Sequence, residues 1–140
     1  MSKNYKILSK YIKDMSSETA DIETYIFVKE YISKYQLNID INSKPLKNKL
    51  VEINTIMKFE DKEQNKKKSY FEINFATIVK INDDIKEKKD LEKIILCDVQ
   101  NKIYPDLENC FLNLIHNSGH LGIKLEKKID FEKLYNERFN

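Results

Sequence analysis

The most regular pattern in this sequence is an alternation of apolar and polar side chains over residues 69–81. A period of two is typical of a strand with one buried and one solvated face. The apolar side chains occupy odd-numbered positions, namely Phe71, Ile73, Phe75, Val79 and Ile81. Residues 51–59 alternate in the same phase, and the polar segment 60–68 between them is typical of a hairpin connection. The even-numbered side chains, including Tyr70 and Glu72, are therefore predicted to face solvent.

Two weaker patterns predict the remaining strands. Residues 5–16 alternate loosely, which places Tyr5, Ile7, Ser9, Tyr11 and Met15 on one side and Lys6, Leu8, Lys10, Ile12 and Asp14 on the other. Residues 37–41 form a short alternating strand that ends before Pro45, which lacks a backbone donor. Between these strands, residues 21–35 have apolar side chains at helical spacing. A short helix and an extended crossover both remain open for that segment.

Helical patterns follow the hairpin. An apolar stripe predicts a helix that begins at Asp90 and that Pro105 should interrupt, because the residue before proline disfavours helical geometry. A second helix should run from Pro105 to Asn117 and end at Ser118-Gly119, with Gly119 as its left-handed cap. Residues 129–139 predict a terminal helix. Strands followed by helices indicate an α+β fold, in which helices cover one face of a four-stranded antiparallel sheet.

Composition restricts the classes of protein that this chain can belong to. A length of 140 residues predicts one domain over residues 1–140, and contents of 41% hydrophobic and 34% charged residues are those of a soluble globular protein. No apolar run approaches the roughly 18 residues of a spanning helix, and no secretory signal begins the chain. Two cysteines, Cys97 and Cys110, are too few for a disulfide framework. The expected compartment is therefore the cytoplasm.

Catalytic and metal-binding patterns are nearly absent from the sequence. His116 and His120 are four residues apart, but Gly119 breaks the predicted helix between them and no third ligand is evident nearby. Two glycines cannot build a phosphate-binding loop, and no nucleophile or paired-carboxylate motif occurs. The sequence therefore predicts that the protein is not an enzyme and needs neither a cofactor nor a metal.

Charge and aromatic content point to surfaces instead. The net charge is only +2, and the one lysine run, Lys66-Lys67-Lys68, is more typical of a solvated turn than of a phosphate contact. No nucleic-acid partner is expected. Eight tyrosines and seven phenylalanines are a large aromatic content, and several lie in the crossover, among them Tyr25, Phe27, Tyr31 and Tyr35. They either cover one end of the core or line a groove for extended apolar peptide.

A series of short motifs, in order, resembles the SecB family of protein-export chaperones. The stretch Tyr11-Ile-Lys-Asp-Met-Ser-Ser-Glu18 is similar to the first strand of that family. The later motifs are Leu37-Asn-Ile-Asp-Ile41, Glu72-Ile-Asn-Phe-Ala-Thr-Ile-Val79, Tyr104-Pro105 with Cys110 downstream, Ser118-Gly119 and Asp130-Phe-Glu-Lys-Leu-Tyr135. Two motifs depart from the family, since Asn74-Phe-Ala-Thr77 replaces a Gln- and Gly-rich stretch and the early Cys-Pro dipeptide of the helical region is missing. The charge is also near neutral in place of strong acidity.

The resemblance implies an ATP-independent holdase that binds unfolded preproteins in apolar grooves and delivers them to the SecA motor ATPase. It assigns SecA docking on the outer sheet face to Asp14, Glu18, Tyr70 and Glu72. It assigns the client groove to the crossover aromatics Phe27, Tyr31 and Tyr35. It places Phe71, Ile73 and Phe75 beneath the helix after Pro105, in a layer that joins two dimers into a homotetramer.

Two other interpretations stay open. The lost acidity favours a SecB-like chaperone devoted to a single partner, such as the antitoxin of a toxin–antitoxin pair. A nucleic-acid-binding module that uses Lys66-Lys67-Lys68 would instead bind with an affinity that falls steeply with salt.

Overall fold

The computed structural model describes residues 4–63, 67–125 and 129–139. The strands are β1 (Tyr5–Glu18), β2 (Gln36–Pro45), β3 (Leu50–Glu60) and β4 (Tyr70–Ile81). The helices are α1 (Ile22–Tyr31), α2 (Lys88–Lys93), α3 (Val99–Asn117) and α4 (Phe131–Phe139), with a short 3₁₀ turn at Ile32–Lys34 and a π-helical segment at Ile94–Asp98.

All four strands form one antiparallel sheet in the order β1-β4-β3-β2. The predicted hairpin is confirmed, since Phe59 pairs with Phe71 and Val51 with Val79 across β3 and β4. The odd-numbered side chains of both strands are buried, as their alternation predicts. We call this covered side the inner face and the opposite side the outer face.

Strand β1 departs from simple alternation because it contains two register shifts, between Ile7 and Ser9 and between Ile12 and Asp14. A bulge inserts one residue and moves the following side chains to the other face. Tyr11 is consequently opposite Ala76 on the outer face, whereas Ile12 is opposite Phe75 on the inner face. The predicted grouping of Tyr11 with Tyr5, and of Ile12 with Asp14, was therefore wrong.

The predicted interruption at Pro105 was also wrong. Residues 88–117 are helical throughout, because α2, the π-helical segment and α3 follow one another directly, and Pro105 lies inside α3. Proline removes the hydrogen bond to the carbonyl of Asn101, but both residues are exposed, so water can satisfy that carbonyl. The opposite side of α3 packs on the sheet through fully buried Ile103, Leu107, Phe111 and Ile115. This packing holds the helix together across the proline.

A buried polar contact fixes the position of α3 on the sheet. Thr55 Oγ1 on β3 donates to Gln100 Oε1 at 2.9 Å, and Gln100 Nε2 donates to the carbonyl oxygen of Ile95 at 3.2 Å. Ile95 belongs to the π-helical segment, where wider turns alter the regular hydrogen-bond ladder. Gln100 thus links the irregular helical segment to the centre of the sheet.

The crossover between β1 and β2 forms a helix, α1, rather than an extended segment, which was the other predicted form. Asp21 caps α1 by accepting from the backbone N–H of Thr24 at 2.8 Å. Hydrogen bonding to the side chain of Thr24, and then to its backbone N–H, lowers the pKa of the Asp21 carboxyl. Val28 is buried in the core. Tyr25 fastens α1 to the end of α3 by donating its hydroxyl to the Gly119 carbonyl at 2.8 Å. No helix among the described residues is long and apolar enough to cross a bilayer.

Candidate functional site

The outer sheet face brings together the four residues that the resemblance assigns to motor docking. Glu18 pairs with Tyr70, and Ser16 pairs with Glu72 in the neighbouring row. Asp14 follows on the same face, opposite Asn74. Tyr70 is 54% exposed. The second bulge of β1 gives Asp14 this orientation, and the four side chains form one continuous patch.

Two lysines of the outer face contact acidic side chains of the same face. The sequence did not predict these contacts. Lys58 Nζ on β3 lies 3.4 Å from Glu72 Oε1 on β4. Lys13 Nζ lies 2.6 Å from Glu52 Oε1, and this bond holds the pKa of the Glu52 carboxyl below its ordinary value. The signal available in the sequence was the near-equal count of 25 basic and 23 acidic residues. The outer face therefore carries both signs of charge.

The crossover aromatics do not share one environment. The rings of Phe27 and Tyr31 lie with their centroids 4.6 Å apart and are partly exposed. Tyr35 is only 7% exposed, and its ring contacts Phe59 and Phe71 at centroid distances of 5.4 and 6.3 Å. Its hydroxyl accepts from the Ser69 N–H at 3.0 Å.

The groove prediction therefore needs a correction at Tyr35, which is a core residue directly before β2. Burial raises the pKa of the Tyr35 phenol, in agreement with this placement. Phe27 and Tyr31 remain accessible, so their role in a groove stays a prediction.

Phe71, Ile73 and Phe75 are 2%, 0% and 4% exposed within the single chain. They belong to the core cluster that also contains Leu107 and Phe111 of α3. These three side chains therefore lie in the core, as predicted, whereas their part in a contact between dimers stays a prediction.

A groove that the sequence reasoning missed lies between the edge strand β2 and the terminal helix α4. Its cavity has a volume of about 180 Å³. The lining residues are Ile39, Asp40, Ile41, Leu96, Phe131, Leu134 and Tyr135. The apolar spacing of residues 131, 134 and 135 was a visible signal for an amphipathic helix, but nothing local identified β2 as its partner.

The two histidines have separate environments. His116 Nε2 lies 2.9 Å from the carbonyl oxygen of Ile123. His120 is buried against the rings of Tyr25 and Phe71, at centroid distances of 5.4 and 5.8 Å, and burial lowers its pKa. In the described ranges, no three histidine, cysteine or acidic side chains cluster in a way that could hold a metal ion. Of the lysine run in the hairpin connection, Lys66 lies outside the described residues.

A family model and a curated relative give this chain the same family. The model of the family described as "Preprotein translocase subunit SecB" matches residues 1–140. A curated relative from Pelagibacter ubique (strain HTCC1062), named putative protein-export protein SecB, is 60% identical over 140 residues, which is the full length of both chains. Among solved structures, the Mycobacterium tuberculosis Rv1957 SecB-like chaperone, in complex with a ChAD peptide from the Rv1956 HigA1 antitoxin, has a similar fold. Its TM-score is 0.63 at 11% identity, and the match covers 89% of this chain and 91% of that chain.

Proposed function

Because this chain belongs to the SecB family, we propose that it is an ATP-independent holdase chaperone of protein export. It acts in the cytoplasm as a single domain over residues 1–140, without a cofactor or enzymatic step. It binds unfolded preproteins and delivers them to the SecA motor. Preferential binding of the unfolded form delays folding by mass action. Family membership supports the chaperone role, and exposed surfaces of the chain support client binding, SecA docking and assembly.

The groove between β2 and α4 is the observation that carries the client-binding proposal. It is lined by apolar side chains such as Ile39, Phe131 and Leu134, and it opens beside an edge strand. An extended peptide can add to such an edge through its backbone while alternate side chains enter the groove. Recognition of this kind needs an unfolded apolar segment rather than a particular sequence. The partly exposed rings of Phe27 and Tyr31 provide a second apolar surface on the crossover helix.

A matched pair of variants on α4 tests the groove. Leu134→Asp places a carboxylate in the groove, whereas Asn136→Asp adds the same charge at an exposed position outside it. We expect Leu134→Asp to weaken binding of a labelled, permanently unfolded preprotein about tenfold, since burial of an unpaired polar group costs roughly 1–3 kcal/mol. Asn136→Asp should bind like the wild type. Equal affinities for all three proteins, measured by fluorescence anisotropy without ATP, would remove the groove from the proposal.

SecA docks on the outer face in this proposal, through Asp14, Glu18, Tyr70 and Glu72. Their shared orientation and the exposure of Tyr70 support it. The double charge reversal Asp14→Lys/Glu72→Lys should weaken binding to the cognate SecA and leave client binding unchanged, because the groove lies between β2 and α4. An unchanged SecA affinity in a titration would refute this assignment.

In the same proposal, the chain assembles as a homotetramer that is a dimer of dimers. Strand β1 is an edge of 14 residues whose apolar side chains Leu8, Tyr11, Ile12 and Met15 are 42–47% exposed. A long apolar edge of this kind favours pairing with another strand. We assign one contact to β1 of a second copy and the other to α3, which covers Phe71, Ile73 and Phe75. Light scattering should give the mass of four chains, and Ile12→Asp should reduce it.

A dedicated chaperone for one partner, such as an antitoxin, is the second candidate. The pairing of Lys13 with Glu52 and of Lys58 with Glu72 favours it, since both pairs reduce the acidity of the face that the resemblance assigns to SecA. Capture of client proteins from cells distinguishes the two. Many preproteins indicate an export chaperone, whereas the product of one neighbouring gene indicates a dedicated one. A binding affinity that falls steeply with salt for nucleic acid would support the third interpretation instead.

A further inference from the structure

Charges on the outer sheet face are segregated along the strand direction. One end, which we call the lysine half, carries Lys6, Lys13, Lys44, Lys80 and a single acid, Glu52. The other end, the acidic half, carries Asp14, Glu18, Asp40, Glu60, Glu72 and a single lysine, Lys58. Lys6 pairs with Lys80 at the first end, and Glu18 pairs with Tyr70 at the second. The gradient thus crosses the whole sheet.

The charge of the lysine half is not neutralised within the chain. Glu52 is its one acid among the residues that the structure describes, and Glu52 Oε1 lies 2.6 Å from Lys13 Nζ. In the described ranges, no carboxylate lies within ion-pair distance of Lys6 or Lys80, and both side chains are exposed. Two adjacent lysines on neighbouring strands repel each other, and an anionic partner relieves that repulsion. The lysine half is therefore a cationic surface in which, among the described residues, Glu52 is the one acid and pairs with Lys13.

The two ends are far enough apart to act separately. Residues 70 and 80 of β4 are ten positions apart, or about 30 Å at roughly 3.3 Å per residue in a strand. The Debye length is about 8 Å at physiological ionic strength. The lysines consequently change the binding free energy of a partner that contacts only the acidic half very little. A partner that spans the whole face must complement both signs of charge.

We propose that the docking surface is bipolar, so that SecA contacts both halves at once. This inference rests on the proposed function. The docking element of SecA then presents cationic side chains to the acidic half and anionic side chains to the lysine half, and it lies along the strands in one orientation. The lysine half acts as a specificity determinant, since it repels a partner that is cationic along its whole length.

Reversal of the lysine half distinguishes a bipolar from a purely acidic docking surface. We expect Lys6→Glu/Lys80→Glu to weaken binding of the cognate SecA about three- to tenfold at low salt, as the loss of two exposed ion pairs predicts. A partner that uses only the acidic half would instead bind this variant equally well or more tightly. The fold should tolerate the change, because the two positions carry like charges before and after it.

A second double variant controls for net charge. Lys89→Glu/Lys93→Glu changes the charge by the same amount at exposed positions of α2, on the inner side of the sheet. It should bind SecA like the wild type. Equal losses in both double variants would show a net-charge effect and overturn the bipolar surface. If the wild type binds clients but not SecA, the docking part of the proposed function fails as well, whereas tight SecA binding by Lys6→Glu/Lys80→Glu overturns the inference alone.

Discussion

Lys13 Nζ lies 2.6 Å from Glu52 Oε1, although Lys13 is on the edge strand β1 and Glu52 is two strands away on β3. The lysine side chain therefore crosses β4 on the outer face, where Ala76 is fully buried between Tyr11 and Asn54. A small side chain at Ala76 leaves room for this crossing. Lys13 can reach so far because it is the extra residue of the second β1 bulge.

Removal of the lysine should change the titration of its partner. In Lys13→Met, the pKa of Glu52 should rise towards its ordinary value, because the hydrogen bond and the positive charge that stabilise the carboxylate are lost. Carboxyl chemical shifts followed by NMR against pH measure this change. Lys10→Met is the control, since Lys10 pairs with Asp106 of α3, 2.6 Å away. An unchanged Glu52 titration in Lys13→Met would contradict the contact.

Two buried threonines on neighbouring strands should respond differently to replacement by valine. Thr55→Val removes the hydroxyl that donates to Gln100 and leaves the buried Gln100 Oε1 without this partner. This loss should lower the free energy of unfolding by about 1–3 kcal/mol. Thr77 Oγ1 is also buried, and it has no hydrogen-bond partner in the described part of the chain. Thr77→Val should therefore be neutral or stabilising. Urea unfolding measures both, and equal destabilisation would contradict the importance of the Thr55–Gln100 contact.

The two glycines provide a similar comparison at the end of α3. Gly119 has φ +102°, and a Cβ atom there would lie 2.5 Å from the ring of Tyr25. Gly119→Ala should cost about 1–3 kcal/mol, since it combines an unfavourable backbone conformation with a clash against α1. Gly122 has open space around its Cα, so Gly122→Ala should change the urea midpoint little. Equal midpoints for the two variants would show that Tyr25 does not hold α1 against this turn.

Stability should fall as the solution becomes acidic, and His120 should contribute to that fall. Burial between Tyr25 and Phe71, and to a lesser degree the charge of Lys29, lower the pKa of the folded-state imidazole below its ordinary value of about 6.5. The unfolded chain then binds more protons, so stability is full above pH 6.5 and decreases as the pH falls towards the folded-state pKa. His120→Phe should flatten the pH dependence of the free energy of unfolding in this range. The same dependence in both proteins would contradict this role.

The parts of the fold that follow from the sequence are those encoded by local periodicity. Alternation over β3 and β4 was enough to assign the inner position of Phe71 and the outer position of Glu72. Periodicity cannot register an inserted residue, so the orientation of Tyr11 and Ile12 was missed at the β1 bulges. The interruption predicted at Pro105 was wrong for a different reason. Packing of α3 on the sheet outweighs the local backbone preference of the residue before proline.

The site was less predictable than the fold because it depends on contacts between distant segments. The groove joins β2 with α4, whose sequence positions are about ninety residues apart, and neither segment indicates the other. Tyr35 has the same residue type and spacing as its accessible neighbour Tyr31, but its contacts with Phe59 and Phe71 place it in the core. The lysines that balance the outer face became apparent only from the register of the strands.

Aggregation of a denatured preprotein, diluted into buffer without nucleotide, tests the central claim most directly. Light scattering should show that the wild-type chain suppresses aggregation at near-stoichiometric amounts, that Asn136→Asp does the same, and that Leu134→Asp does so poorly. Aggregation that proceeds equally with and without the wild-type chain would contradict the account that this protein is a holdase chaperone.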